Sequence, residues 1–246
     1  MNKKLFSRKR LLIAAAVIFA AAALALFIYL RPYPPDAEAR NSMTESGAVE
    51  EDNWLAFQSG QEEQGPSVIF YPGGLVEEQA YAPLAQGLAE KGFTTYIVKM
   101  PVNLAVLAPD RAEKILEENP DKEFVIGGHS LGGSMASRYA AENAQAVQGV
   151  FFLASYPDEG GRLDQTDLPV LSITAGRDGV LNQDSYNEAE AYLPDETESA
   201  DLTGGNHAGF GSYGPQDGDG EAAISSAEQT RRTVEIMEDW LIGQVE

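Results

Sequence analysis

Between residues 67 and 202 the chain alternates short apolar runs with longer stretches in which apolar positions recur every three or four residues. The short runs are rich in β-branched and aromatic side chains and predict strands at 67–71, 93–99, 124–127, 149–154, 170–175 and 198–202. The longer stretches predict helices near 77–91, 109–118, 131–143 and 184–192, with a final helix over about 223–241. Ahead of this series, residues 54–58 predict an edge strand and 60–66 a polar turn. Regular alternation of strand and helix implies an α/β fold, a mainly parallel central sheet with helices on both faces. Runs such as 68–70 and 170–173 carry no polar alternation, which suits central strands covered on both sides.

One apolar run stands outside this pattern. Residues 11–30, LLIAAAVIFAAAALALFIYL, are twenty uninterrupted uncharged positions, and a helix of that length spans about 30 Å, the thickness of a bilayer core. The run predicts one transmembrane helix. Five Lys/Arg residues precede it, so the N-terminus is expected in the cytoplasm and everything after the helix outside, as in a signal anchor. The alternative is secretion after cleavage, because Ala37-Glu38-Ala39 has the small-x-small form of a signal-peptidase site. The apolar run exceeds the usual signal-peptide core of ~7–15 residues, and the site lies well beyond it, which favours a retained anchor. The expected organisation is therefore a cytoplasmic basic segment (1–10), the anchor (11–30), a stalk of prolines and small polar residues (31–48) and one globular domain (49–246).

The absence of cysteine removes disulfides, thiolate metal sites and cysteine nucleophiles. The net charge of −21 is unevenly distributed: Lys3, Lys4, Arg8, Lys9, Arg10 and Arg31 precede every acid, so the remainder has 11 basic against 38 acidic residues, a net −27. So acidic a domain repels polyanions and argues against nucleic acid as a partner.

The chemistry starts at Gly128-His129-Ser130-Leu131-Gly132, a G-x-S-x-G between a predicted strand and a predicted helix. That context is the one a nucleophile elbow requires: a tight turn presents the serine hydroxyl at the C-terminal edge of the sheet, where the following helix offers free N–H groups. A serine hydroxyl needs a base, and the chain holds only two histidines. His129 is beside Ser130 within the turn and projects away from its hydroxyl, which leaves His207, in the glycine-rich loop Gly204-Gly205-Asn206-His207-Ala208-Gly209 after the last predicted strand. The imidazole in turn needs a carboxylate. Asp178 follows the 170–175 strand and lies between elbow and histidine in Ser…Asp…His order, with Asp184 and Asp158 as the next candidates. The oxyanion donors are expected to be the N–H groups of Leu131 and Gly74, the latter in Tyr71-Pro72-Gly73-Gly74-Leu75 after the first confident strand, with Leu75 or Gly73 as alternatives.

This chemistry calls for no metal and no cofactor. Residues 217–221, Asp-Gly-Asp-Gly-Glu, lack the spacing and terminal ligand of a calcium loop and read as a solvated loop. Phe210 and Tyr213 either line an acyl pocket or pack the core.

Taken in order, YPGG, GGHSLGG, AGRDG and GNHAGFG resemble the alpha/beta-hydrolase superfamily, in particular its compact dienelactone-hydrolase-like branch, over residues 67–241. The resemblance implies Ser130, Asp178 and His207 as the triad. The chain has serine where dienelactone hydrolases use cysteine, and Tyr71-Pro72 where many members carry His-Gly. No long insertion follows the 149–154 strand, where larger lipases place a lid, so an open site is expected. The function this implies is a membrane-anchored extracytoplasmic carboxylesterase acting on small ester or acyl substrates. An acyltransferase or peptidase would use the same triad, and a silent binding domain would keep the fold alone.

Overall fold

A computed structural model describes residues 8–243. The chain divides into two compact units, Met1–Pro32 and Tyr33–Glu246. The first contains helix α1 (Arg8–Tyr29), 22 residues long, on the run read as an anchor; residues 1–7 of the expected basic segment lie outside the described residues. Among the described residues no helix is long and apolar enough to cross a membrane, so a spanning role for residues 11–30 rests on their sequence.

The second unit is built on eight strands: β1 (Val49–Glu50), β2 (Trp54–Phe57), β3 (Ser67–Tyr71), β4 (Thr95–Val98), β5 (Phe124–His129), β6 (Gly149–Leu153), β7 (Val170–Ala175) and β8 (Glu198–Leu202). They form one sheet in the order β1-β2-β4-β3-β5-β6-β7-β8, parallel from β4 to β8 and antiparallel at β1 and β2. Every residue of β3, β5 and β6 is buried, as strands covered on both faces must be. Alternate side chains feed two cores. Val68, Phe70, Val125, Phe151 and Leu153 meet helices α3 (Ala82–Glu90) and α7 (Ser226–Gly243) through Leu84, Leu88, Val234 and Met237. Ile69, Tyr71, Ile126, Val150 and Phe152 meet α4 (Ala112–Glu118) and α5 (Leu131–Glu142) through Ile115, Met135 and Tyr139. A shorter helix, α6 (Gln183–Ala189), follows β7.

Two expectations need correction. The strand at 54–57 is not at the edge: β1 pairs outside it, with Val49 opposite Ala56, and all four of its residues are buried. Residues 31–48 are not a free stalk, because Tyr33 bridges Val76 in parallel, the Asp36 amide donates to the Ser212 carbonyl, and helix α2 (Ala37–Glu45) begins at Asp36, whose carboxylate caps the Ala39 amide at 3.0 Å. The prolines stop before this helix, and Ala39 and Ser42 are small enough to turn one of its faces inward. The domain therefore begins at Tyr33 rather than near residue 49.

Candidate active site

The elbow forms because strand and helix meet with no linker: β5 ends at His129, α5 begins at Leu131, and Ser130 alone turns the chain, at φ 51° and ψ −126°. A non-glycine residue in that region costs about 1–3 kcal/mol and persists only where its surroundings hold it. The Ser130 amide donates to the Leu153 carbonyl at 3.0 Å, and its own carbonyl accepts from the Gly133 amide at 3.1 Å and the Ser155 hydroxyl at 2.6 Å. The flanking glycines are obligatory: a Cβ on Gly128 or on Gly132 would overlap the Tyr71 carbonyl oxygen of β3. Ser130 itself is partly exposed.

Asp178 and His207 stand on the loops leaving β7 and β8, at the same C-terminal edge of the sheet. Their side chains are buried, and His207 Nδ1 donates to Asp178 Oδ2 at 2.8 Å. Asp178 Oδ1 accepts the Val180 and Leu181 amides at 2.8 and 2.7 Å. Burial alone would raise the Asp178 pKa, but the His207 hydrogen bond and charge, together with those two amides, outweigh it and hold the carboxyl below its ordinary value. Stability from the ionised carboxylate is thus present above the unfolded value of about 4 and is lost as pH falls through the lower folded one. The other acids are elsewhere: Asp158 pairs with Arg138, and Asp184 lies exposed in the first turn of α6.

His207 reaches the elbow. Its ring centroid is 4.5 Å from that of His129, the residue before Ser130. The His207 loop is held from outside itself: Asp219 accepts the His207, Ala208 and Gly179 amides at 3.2, 2.8 and 3.1 Å, and Gln229 of α7 exchanges hydrogen bonds with both backbone groups of Asn206. Asp219 thereby ties the loop of His207 to the loop of Asp178. It belongs to the 217–221 stretch read as solvated, and nothing in its local pattern marks it.

The loop after β3 carries the three amides from which an oxyanion donor is expected, and two of them are engaged. The Gly73 amide donates to the Tyr81 hydroxyl at 3.0 Å and the Leu75 amide to the Asn103 carbonyl at 2.7 Å. Among the described residues, the Gly74 amide between them has no acceptor. Gly74 faces the start of α5, for a Cβ placed on it would lie 3.1 Å from Leu131 Cδ2. Beside it, residues 101–107 expose Val102, Val106 and Leu107 to 61, 49 and 59%. Phe210 and Tyr213 are buried in the core and pack it.

No curated protein matches the sequence. The chain is similar in fold to a membrane phospholipase A described as a bacterial virulence factor (TM-score 0.65, 14% identity, covering 97% of this chain and 99% of that one). It is likewise similar to a dienelactone hydrolase from Anabaena variabilis (TM-score 0.57, 19% identity, 77% and 90% covered), and to an esterase from Mycobacterium tuberculosis (TM-score 0.57, 15% identity, 83% and 96% covered). The sequence profile described as the alpha/beta hydrolase family matches residues 67–231, which hold the elbow, the Asp178–His207 pair and the Gly74 loop, and the chain belongs to that family.

Proposed function

We propose that this chain is a serine carboxylesterase, anchored in the membrane by residues 11–30 with its hydrolase domain outside the cytoplasm. The observation that carries the enzymatic reading is the 2.8 Å bond from His207 Nδ1 to Asp178, with the His207 ring set against the elbow. That bond keeps the Nδ1 proton in place and leaves Nε2 as the basic nitrogen. Nε2 takes the proton of Ser130 as Oγ adds to the ester carbonyl carbon, and the resulting oxyanion accepts the Gly74 and Leu131 N–H groups. Collapse returns the electron pair to the carbonyl, the proton passes to the departing alcohol, and water releases the acyl group by the same steps.

The exposed Val102, Val106 and Leu107 support an apolar acyl group, since they adjoin the Gly74 loop: Leu104, within the same segment, lies 3.9 Å from where a Gly74 Cβ would be. In a panel of p-nitrophenyl esters, kcat/KM is expected to rise about tenfold from acetyl to hexanoyl, the gain from a few methylenes on an apolar wall. A flat or falling series would remove the apolar acyl assignment.

Anchoring is supported by the basic cluster before residue 11 and by the exposed apolar side chains Leu12, Ile13, Val17, Ile18, Phe19 and Leu24 of α1, as lipid contact would require. A membrane-impermeant amine-reactive biotin added to intact cells should label Lys91 and Lys114, which are about half exposed, and spare Lys3 and Lys4. Labelling of the domain only after lysis would reverse the orientation.

A further inference from the structure

We propose that His129 and Tyr81 act as positioning residues for the oxyanion loop, a line of hydrogen bonds from the elbow through the Tyr81 hydroxyl to Gly73 that fixes the neighbouring Gly74 amide. The inference rests on the hydrolase reading above. His129 Nδ1 lies 2.8 Å from the Tyr81 hydroxyl, which also accepts the Gly73 amide at 3.0 Å. The Gly73 amide can only donate, so among the described residues His129 Nδ1 is the one acceptor in reach of the buried Tyr81 proton. The pairing that leaves neither the Gly73 nor the Tyr81 proton unused has Tyr81 donating to His129 Nδ1, with neutral His129 carrying its own proton on Nε2. Burial, then the neighbouring His207, hold the His129 pKa well below its ordinary value and keep it neutral; the His207 main chain opposes this without meeting Nε2 in hydrogen-bonding geometry.

The loop closes directly on this pair. A Cβ on Gly73 would lie 2.8 Å from His129 Nδ1 and 2.9 Å from the Tyr81 oxygen, so only glycine allows the approach. On the other side of Gly74, Leu75 is held at φ 59° with its amide on the Asn103 carbonyl. The Gly74 peptide is thus clamped between two amides that are already committed. Both rings are themselves fixed, Tyr81 against Phe70 at 4.7 Å between centroids and His129 against Phe210 at 5.8 Å.

Where leucine would fill the same buried space, the His129 ring adds a polar partner for the Tyr81 hydroxyl, the acceptor at Nδ1. Its neighbour His207 supplies the base, and His129, engaged with Tyr81, acts on the reaction only through the loop.

The test compares Tyr81→Phe, His129→Leu and His129→Asn in the full chain, with rates expressed per site titrated by a fluorophosphonate. Asparagine places an amide oxygen where Nδ1 stands and keeps the acceptor. Tyr81→Phe and His129→Leu should lower kcat about 10- to 100-fold, somewhat less than deletion of an oxyanion donor, with KM nearly unchanged. His129→Asn should stay within about fivefold of wild type. A trifluoromethyl ketone supplies the readout that a merely structural role would not move. Ser130 Oγ bonds to its carbonyl carbon, the π pair moves to oxygen as an oxyanion, and the serine proton passes to His207; affinity should fall by the same factor as kcat. Wild-type kcat and ketone affinity per titrated site in Tyr81→Phe and His129→Leu would overturn the relay, as would His129→Asn no better than His129→Leu. If Tyr81→Phe does not fold, the two His129 variants decide. A wild-type chain that neither reacts with the fluorophosphonate nor hydrolyses any ester would overturn the hydrolase reading itself, and the relay with it.

Discussion

Replacing Ser130 by alanine is expected to lower kcat for ester hydrolysis by about 10⁴–10⁶ while leaving the fold intact. The loss is large because the chain has no cysteine and the neighbouring hydroxyls are engaged elsewhere: Ser134 donates to the Tyr156 carbonyl, and Ser155 is buried and committed to the Ser130 carbonyl. The fold should survive because the substitution keeps the Cβ and removes one partly exposed oxygen. The turn at φ 51° is held by backbone bonds to Leu153 and Gly133 and by Ser155, none of which uses the Ser130 hydroxyl. Urea unfolding of the variant should stay within about 0.5 kcal/mol of wild type. A folded variant with normal turnover would show that the nucleophile lies elsewhere.

His207→Ala should fall as far as Ser130→Ala, since the two act as one unit and removing either leaves binding and the oxyanion donors alone. Asp178→Asn is expected to cost about 10⁴, for a reason visible in the carboxylate's partners. Oδ1 accepts two amides, from Val180 and Leu181, and an asparagine would keep its oxygen there. Its NH₂ group would then face His207 Nδ1 and force the imidazole proton onto Nε2, where the serine proton must go. Serine, histidine and geometry all remain, yet the base is in the wrong tautomer. Steady-state kinetics on purified variants with matched circular dichroism check both expectations. Near-normal turnover in Asp178→Asn would remove the carboxylate from the mechanism.

Much of this architecture was legible in the sequence because its signals are local. Phe124–His129 reads as a strand from its apolar run, the glycines around Ser130 mark a turn too tight for a Cβ, and with two histidines elimination reaches His207 directly. Asp178 was legible from its place after β7, and the structure joins it to His207 while Asp158 turns to Arg138. The misreadings concern contacts made over distance. Nothing within residues 31–48 reveals that Tyr33 will pair with Val76 and Asp36 with Ser212, so a proline-rich composition reads as a stalk. The edge position assigned to Trp54 failed because its outer neighbour, β1, is two residues long and too short to leave a pattern. Among Gly73, Gly74 and Leu75 the free amide could be told only by seeing what the other two donate to, Tyr81 and Asn103. Asp219 and Tyr81 act through bonds to residues 8 to 48 positions away, with no periodicity to mark them.

The central claim is that Ser130 is an activated nucleophile served by His207, and covalent labelling tests it most directly. The full chain treated with a fluorophosphonate, digested and mapped by mass spectrometry should carry one adduct, on Ser130, at a rate that collapses in His207→Ala and is nearly retained in His129→Asn. A folded wild-type chain that takes up no label, or one labelled at another residue with Ser130 untouched, would contradict the account.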